Sequence, residues 1–103
     1  MPSAVLAPRA RVELRAAARH IAEDSPDAAR ALVAAVQAAA ARIGAHPLIG
    51  AERPVYAPTP YRFLALRGFP YLLVHDAAAA PPRILRVVHG ARDLPGLLAA
   101  LRG

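Results

Sequence analysis

A chain of 103 residues with a net charge of +6 is long enough for one small domain with a modest core, and hardly for two. It has no cysteine, which excludes disulfides and thiolate metal sites and fits a reducing compartment. All 13 basic residues are arginine, a side chain that stays charged and binds carboxylates and phosphates bidentately. We therefore expect a single domain over residues 1–103 that is attracted to an acidic protein or to nucleic acid.

The N-terminal region lacks the features of a secretion signal, because arginines from Arg9 onward interrupt any apolar segment. No continuous apolar run approaches the ~20 residues that a membrane-spanning helix requires. We therefore expect a cytoplasmic protein with no membrane partner.

The first elements in chain order are a short strand and a helix. The apolar run Ala4–Leu6 predicts the strand, and Pro8 suits the first turn of a helix. Apolar residues at helical spacing predict that this helix covers Arg9–Glu23. Three arginines spaced four apart share another face of it: Arg11, Arg15 and Arg19. Such a row is typical of a solvated face, and it is also the pattern of a partner-binding ridge.

A second helix follows almost immediately. Ser25 is a good N-cap and Pro26 suits the first helical position, so the helix begins there. Its apolar stripe continues to about Ile43, and Gly44 is a natural stop. Two helices joined by so short a connection predict an antiparallel helical hairpin whose apolar stripes need a surface to cover.

The second half of the chain is dominated by strands. The proline-rich segment His46–Pro60 predicts an extended connection. Three apolar runs then predict strands that pair antiparallel: Tyr61–Arg67, Tyr71–His75 and Arg83–His89. Asp93 is placed to cap a short final helix over Leu94–Leu101. The fold class is therefore α+β, in the order β-α-α-β-β-β(-α), with the helical hairpin packed on a small, mostly antiparallel sheet.

Four segments, in this order and spacing, resemble the RelE/ParE superfamily of toxins from bacterial type II toxin–antitoxin systems. They are SPDAAR at Ser25–Arg30, IGAHPLIG at Ile43–Gly50, YRFL at Tyr61–Leu64 and ILRVVHGARD at Ile84–Asp93. The last segment is close to the final strand and turn of ParE-like proteins, so the sequence is more similar to the ParE branch.

The resemblance implies a growth-arresting toxin with a cognate antitoxin, of the kind that serves plasmid stabilisation. ParE-like members poison DNA gyrase, which is inhibition by binding rather than enzymatic catalysis. RelE-like members are endoribonucleases that cut mRNA in the ribosomal A site. An inactive homologue that only binds antitoxin is a third reading. In each case the implied partner is an acidic, amphipathic C-terminal segment of the antitoxin, and operator DNA is reached only through that antitoxin.

Residues on the predicted sheet are the candidates for target contact. Strand alternation places Arg86 on one face of the last strand and Arg83 with His89 on the other. An open face carrying arginines would be a basic, concave surface. The candidate target-binding residues are Arg62, Arg67, Arg83, Arg86, His89 and Arg92. If the protein is a ribonuclease, His75, His89 and Arg86 are the candidate catalytic residues, because proton transfer and phosphate stabilisation need such groups.

The remaining candidates concern the antitoxin. They are Arg11, Arg15 and Arg19 on the first helix and Leu97, Leu98 and Leu101 in the tail. No histidine and carboxylate set has metal-ligand spacing, and the glycines do not form a phosphate-binding loop. We expect neither a metal nor another cofactor.

Overall fold

The computed structural model describes residues 3–94 and 96, and it confirms the predicted α+β architecture. Its elements are β1 (Val5–Leu6), α1 (Pro8–Ala22), α2 (Pro26–Ala45), β2 (Tyr61–Ala65), β3 (Tyr71–Asp76) and β4 (Arg83–His89). The four strands form one sheet in the order β1-β4-β3-β2. Strand β1 runs parallel to β4, and the other neighbours are antiparallel.

Helix α2 begins as predicted and ends later. The Ser25 hydroxyl accepts a hydrogen bond from the Ala28 backbone N–H (3.1 Å), and Pro26 occupies the first turn. The helix continues to Ala45, because Gly44 is buried in the last turn instead of ending it. At 20 residues and a mean hydropathy of 1.2, α2 is long and apolar enough to cross a membrane. Arg30, Gln37 and Arg42 interrupt its apolar sequence, so it does not contradict the expectation about continuous apolar runs, and the core helix of a folded domain passes the same test.

The main core lies between the hairpin and one face of the sheet. Its largest fully buried side chains are Leu32 and Ile43 from α2, Leu73 from β3 and Ile84 from β4. Helix α1 contributes mainly small residues, and Ala10 and Ala17 are both buried. Small side chains let α1 approach the sheet closely, so the core is built chiefly from α2 and the strands.

The connection between α2 and β2 wraps around the free edge of β2. Ile49 packs against the hairpin-side core, and Ala51 then pairs with Phe63 through two backbone hydrogen bonds of 2.9 and 2.8 Å. Ala57 is buried on the other face of the sheet. Residues 46–60, called the wrapping loop below, thus cover parts of both faces. The second face carries its own apolar cluster, made of Ala57, Phe63, Val74, Val88 and Leu94.

A bulge in β4 changes which residues share a face. Val74 pairs with Arg86 and His75 pairs with Ile84, so Leu85 is the extra residue. Ile84 and Val87 both lie in the hairpin-side core although they are three residues apart. The strict alternation predicted for this strand was therefore wrong beyond the bulge.

The other edge of the sheet is occupied by groups from the helices. The Ala4 N–H donates to the Ala40 carbonyl of α2 (2.8 Å), and the Arg11 guanidinium donates to the Leu6 carbonyl (3.3 Å). Where β1 ends, the Val87 N–H of β4 donates instead to the Glu13 carboxylate of α1 (3.0 Å). Helix α1 thereby covers the part of the β4 edge that β1 does not reach.

The chain becomes helical directly after β4, over residues 90–94, which is earlier than predicted. His89 is the N-cap, because its Nδ1 accepts from the Arg92 N–H (3.2 Å). The Asp93 carboxylate reaches back to accept from the His89 N–H (2.7 Å). Asp93 therefore lies inside the helix, and its predicted role as the cap was wrong. Most of the predicted Leu94–Leu101 helix lies outside the described residues.

Candidate functional site

An apolar groove runs between the two helices and reaches the end of β1. Its cavity volume is about 390 Å³. Four apolar side chains line it: Leu6, Leu14, Val33 and Val36. The exposed side chains of Arg11, Arg15 and Gln37 complete the lining. We call this site the hairpin groove.

The hairpin groove continues along the helices as two shallower depressions. One is lined by Ala18, Ala29 and Val33 beside Arg30. The other is lined by Ala18, Ala22 and Ala29 together with Arg15 and Arg19. The three arginines predicted to bind antitoxin, Arg11, Arg15 and Arg19, thus border one continuous apolar surface. Among the described residues, no acidic side chain lines any of these three depressions. The surface is suited to a segment that is apolar on one side and acidic on the other.

Arg86 does not line an open groove. Its side chain is buried, and its Nε and Nη2 atoms donate to the Glu13 carboxylate at 2.8 to 3.1 Å. Because β4 lies beside α1 past the end of β1, the Glu13 carboxylate meets both this guanidinium and the strand backbone. The predicted basic sheet face containing Arg86 is therefore not formed, and the contacts favour a structural role for this arginine.

His75 is also buried, with no measurable exposure. Neither ring nitrogen has a hydrogen-bond partner within the described part of the chain. Burial lowers the pKa of His75, the neighbouring Arg62 guanidinium lowers it further, and Asp76 partly offsets both. This side chain is held neutral and away from solvent.

The two histidines proposed for ribonuclease chemistry are at opposite ends of β3. His89 pairs with Tyr71 at the start of the strand, and its ring meets the Tyr71 ring edge-on at 5.6 Å. His75 is four residues further on, which is about 13 Å along a strand. The fold does not bring His75, His89 and Arg86 to one phosphate.

A polar cleft lies between α1 and the end of β4, with a volume of about 320 Å³. Its polar lining residues are Glu13, His20, Tyr71, Arg92 and Asp93. Glu13 and Asp93 already accept hydrogen bonds from β4, so their main contacts are internal. Arg92, one of the candidate target-binding residues, is exposed at the rim.

The other candidates are dispersed. Arg62 donates to the Gly50 carbonyl (2.7 Å) and lies 3.6 Å from the Glu52 carboxylate, whereas Arg67 and Arg83 are exposed. Target binding by the exposed arginines stays a prediction. The antitoxin candidates Leu97, Leu98 and Leu101 lie outside the described residues.

Sequence reasoning missed Glu13, although a signal for it was present. Glu13 lies three residues after Ala10 and four before Ala17, which puts a carboxylate on the stripe of small residues that α1 buries. A charge in such a stripe predicts a buried partner. Sequence alone could not identify that partner as Arg86, which is 73 residues away.

A helical hairpin on one face of a four-stranded mixed sheet is consistent with the fold of RelE/ParE-like toxins. The family model described as "ParE toxin of type II toxin-antitoxin system, parDE" matches residues 4–94. The chain belongs to this family and is a toxin of a type II toxin–antitoxin system, with a cognate antitoxin as partner. A comparison with curated proteins gives no match.

Proposed function

We propose that this toxin arrests growth by poisoning DNA gyrase in the cytoplasm. We also propose that an acidic, amphipathic C-terminal segment of its antitoxin neutralises it by docking in the hairpin groove. The observation that carries the second proposal is the apolar groove bordered by arginines. The antitoxin, rather than the toxin, then provides the contact with operator DNA.

The groove supports an acidic occupant for two reasons. Its floor offers aliphatic side chains from both helices, which an apolar stripe of the partner would remove from water. Its border carries Arg11, Arg15 and Arg19, and the chain as a whole has a charge of +6. Carboxylates on the partner would pair with these arginines, and the net charge would accelerate the encounter.

The ParE family supports gyrase as the target, and the positions of the histidines weigh against RNA cleavage. General acid–base cleavage needs two proton-exchanging groups within reach of one phosphodiester. His75 is enclosed and His89 caps a helix at the other end of β3. Inhibition by binding needs no such pair.

The target is tested by inducing the toxin alone in a bacterium and following labelled DNA and protein synthesis over the first minutes. We expect DNA synthesis to fall first, with filamentation, and purified gyrase to accumulate cleaved DNA when the toxin is added. A collapse of protein synthesis while DNA synthesis continues would identify the ribosome, rather than gyrase, as the target. Normal growth at every level of induction would identify an inactive homologue.

The docking site is tested by the double variant Arg11→Glu/Arg15→Glu, titrated with the cognate antitoxin. Losing two ion pairs and introducing like charges should weaken binding by at least about tenfold. The matched control is Arg67→Glu/Arg83→Glu, which makes the same change in net charge on exposed residues of the sheet side. Equal weakening in both variants would assign the effect to net charge and reject the groove.

A further inference from the structure

His75 lies directly beneath the wrapping loop. A methyl group at Gly50 would come within 2.5 Å of the His75 Nε2 atom and 2.9 Å of the Phe63 carbonyl oxygen. The loop backbone therefore sits on the imidazole with no room for a side chain between them. An uncharged ring is compatible with this enclosure, whereas a charged ring without a partner is costly to bury.

Few polar contacts hold the loop in place. Ala51 and Phe63 exchange two backbone hydrogen bonds, and the Arg62 Nε–H donates to the Gly50 carbonyl. On the other face, Ala57 and Tyr56 pack against Phe63. Ile49 also packs against the hairpin-side core. Segments with few buried contacts open at a lower free energy than the core, so we expect the loop to open while the hairpin and sheet stay folded.

The charges around His75 come from every neighbouring element. Arg62 from β2 disfavours a second positive charge at this place, and Asp76 on β3 favours one. Asp76 is itself opposite Arg83 of β4 in the sheet register. In the loop, Glu52 lies beside Arg62. The remaining charged groups of the loop and the end of α2, Arg42, His46 and Arg53, are exposed, and the half-buried Tyr56 packs against Phe63 on the other face.

We propose that His75 and the wrapping loop form an acid-sensitive latch, in which protonation of the imidazole releases residues 46–57 from the sheet. Release gives the charged ring access to water, whose screening weakens its repulsion from Arg62, the residue opposite it on β2. It also uncovers the apolar cluster around Phe63, Val74 and Val88, which Ala57 helps to cover. The latch is a property of the free toxin and does not depend on which target the toxin poisons.

The direction of the pH effect follows from the lowered pKa of His75 in the closed state. Above the ordinary histidine pKa both the closed and the open forms are neutral, and pH does not change their balance. Below that value the open form binds a proton that the closed form excludes, so acid favours opening. The contribution of the closed loop to stability is thus present above the ordinary pKa and is lost as the pH falls.

The test is amide hydrogen exchange of the full-length toxin between pH 8 and pH 5, corrected for intrinsic exchange rates. The Ala51 and Phe63 amides report loop opening, and those of Leu32 and Val36 in α2 report global unfolding. We expect the protection of the first pair to fall about tenfold or more, because at pH 5 an imidazole with the ordinary histidine pKa is almost fully protonated in the open form, whereas the closed form disfavours the proton. The α2 amides should change far less.

Two non-titrating variants, His75→Leu and His75→Phe, should abolish this pH dependence, and thermal unfolding at pH 8 verifies that each is folded. The matched control is His46→Gln, which removes an exposed histidine from the start of the loop and should leave the pH dependence intact. The proposal is overturned by flat protection in the unmodified toxin. It is also overturned if a folded His75 variant keeps the pH dependence, or if the loop and α2 amides lose protection together.

Discussion

Glu13 connects α1 to strand β4 of the sheet through hydrogen bonds. Its carboxylate accepts from the Arg86 guanidinium at two nitrogens and from the Val87 backbone N–H. The guanidinium is buried and the carboxylate is half-buried, so removing the acid would leave a positive charge and a backbone donor without this partner. Buried pairs are costly to break even where they contribute little when intact.

We expect Glu13→Ala to lower the free energy of unfolding by roughly 2–4 kcal/mol, because it strands the buried Arg86 charge. Urea denaturation of the purified toxin measures this change. Glu23→Ala is the matched control, since Glu23 and its neighbour His20 are both exposed and such pairs contribute about 0–1 kcal/mol. Equal losses in both variants would contradict the role assigned to Glu13.

Glycine is required at position 50 because there is no space for a side chain there. We expect Gly50→Ala to destabilise the protein by about 1–3 kcal/mol, since the added methyl group would overlap the buried His75 ring and the Phe63 carbonyl. The control is Gly90→Ala, where the nearest atoms are 3.8 Å away and a methyl group fits. Thermal unfolding of the two variants at pH 8 should separate them clearly. A neutral Gly50→Ala would show that the loop does not press on His75.

At the scale of elements, α2 begins with a complete N-cap. Removing the hydroxyl in Ser25→Ala leaves the Ala28 N–H without its acceptor and should cost about 1 kcal/mol. Ser3→Ala changes the same chemical group at an exposed position outside any helix and should have little effect. Urea denaturation midpoints of the two variants provide the comparison, and a loss as large for Ser3→Ala would contradict the capping role.

The elements themselves were predictable because their signals are local. The spacing of apolar residues, the Ser25-Pro26 start and the proline-rich connection identify helices, strands and loop without knowledge of the fold. The face of Arg86 was not predictable, because the bulge at Leu85 depends on pairing with β3. The cap at His89 was missed because histidine is an uncommon N-cap. Asp93 was predicted instead, since aspartate is one of the preferred N-cap residues.

The candidate site was likewise predictable only in part. Arg11, Arg15 and Arg19 were predicted as a ridge from spacing alone, and they do border the hairpin groove. The groove needed the fold, because its floor combines Leu14 of α1 with Val33 and Val36 of α2. The role of Glu13 also needed the fold, because its partner Arg86 is 73 residues away in the chain.

At the scale of the whole molecule, the charge of +6 predicts how the toxin meets its antitoxin. The association rate constant should fall about tenfold or more between low and high salt, because screening shortens the reach of the toxin's field. The dissociation rate should change much less. Stopped-flow mixing over a range of salt concentrations measures both, and Arg11→Glu/Arg15→Glu should flatten the dependence. An association rate that is independent of salt would rule out charge steering.

The occupied edges of the sheet bear on what happens when many copies of the toxin are present without antitoxin. The outward groups of Ala4, Leu6 and Val87 on one edge, and of Phe63 on the other, already have intramolecular partners. An incoming strand from another copy would have to displace them before it could extend the sheet. We expect sedimentation of the liberated toxin to show monomers at neutral pH. Resistance to fibre formation would then be a property of its backbone, independent of the antitoxin.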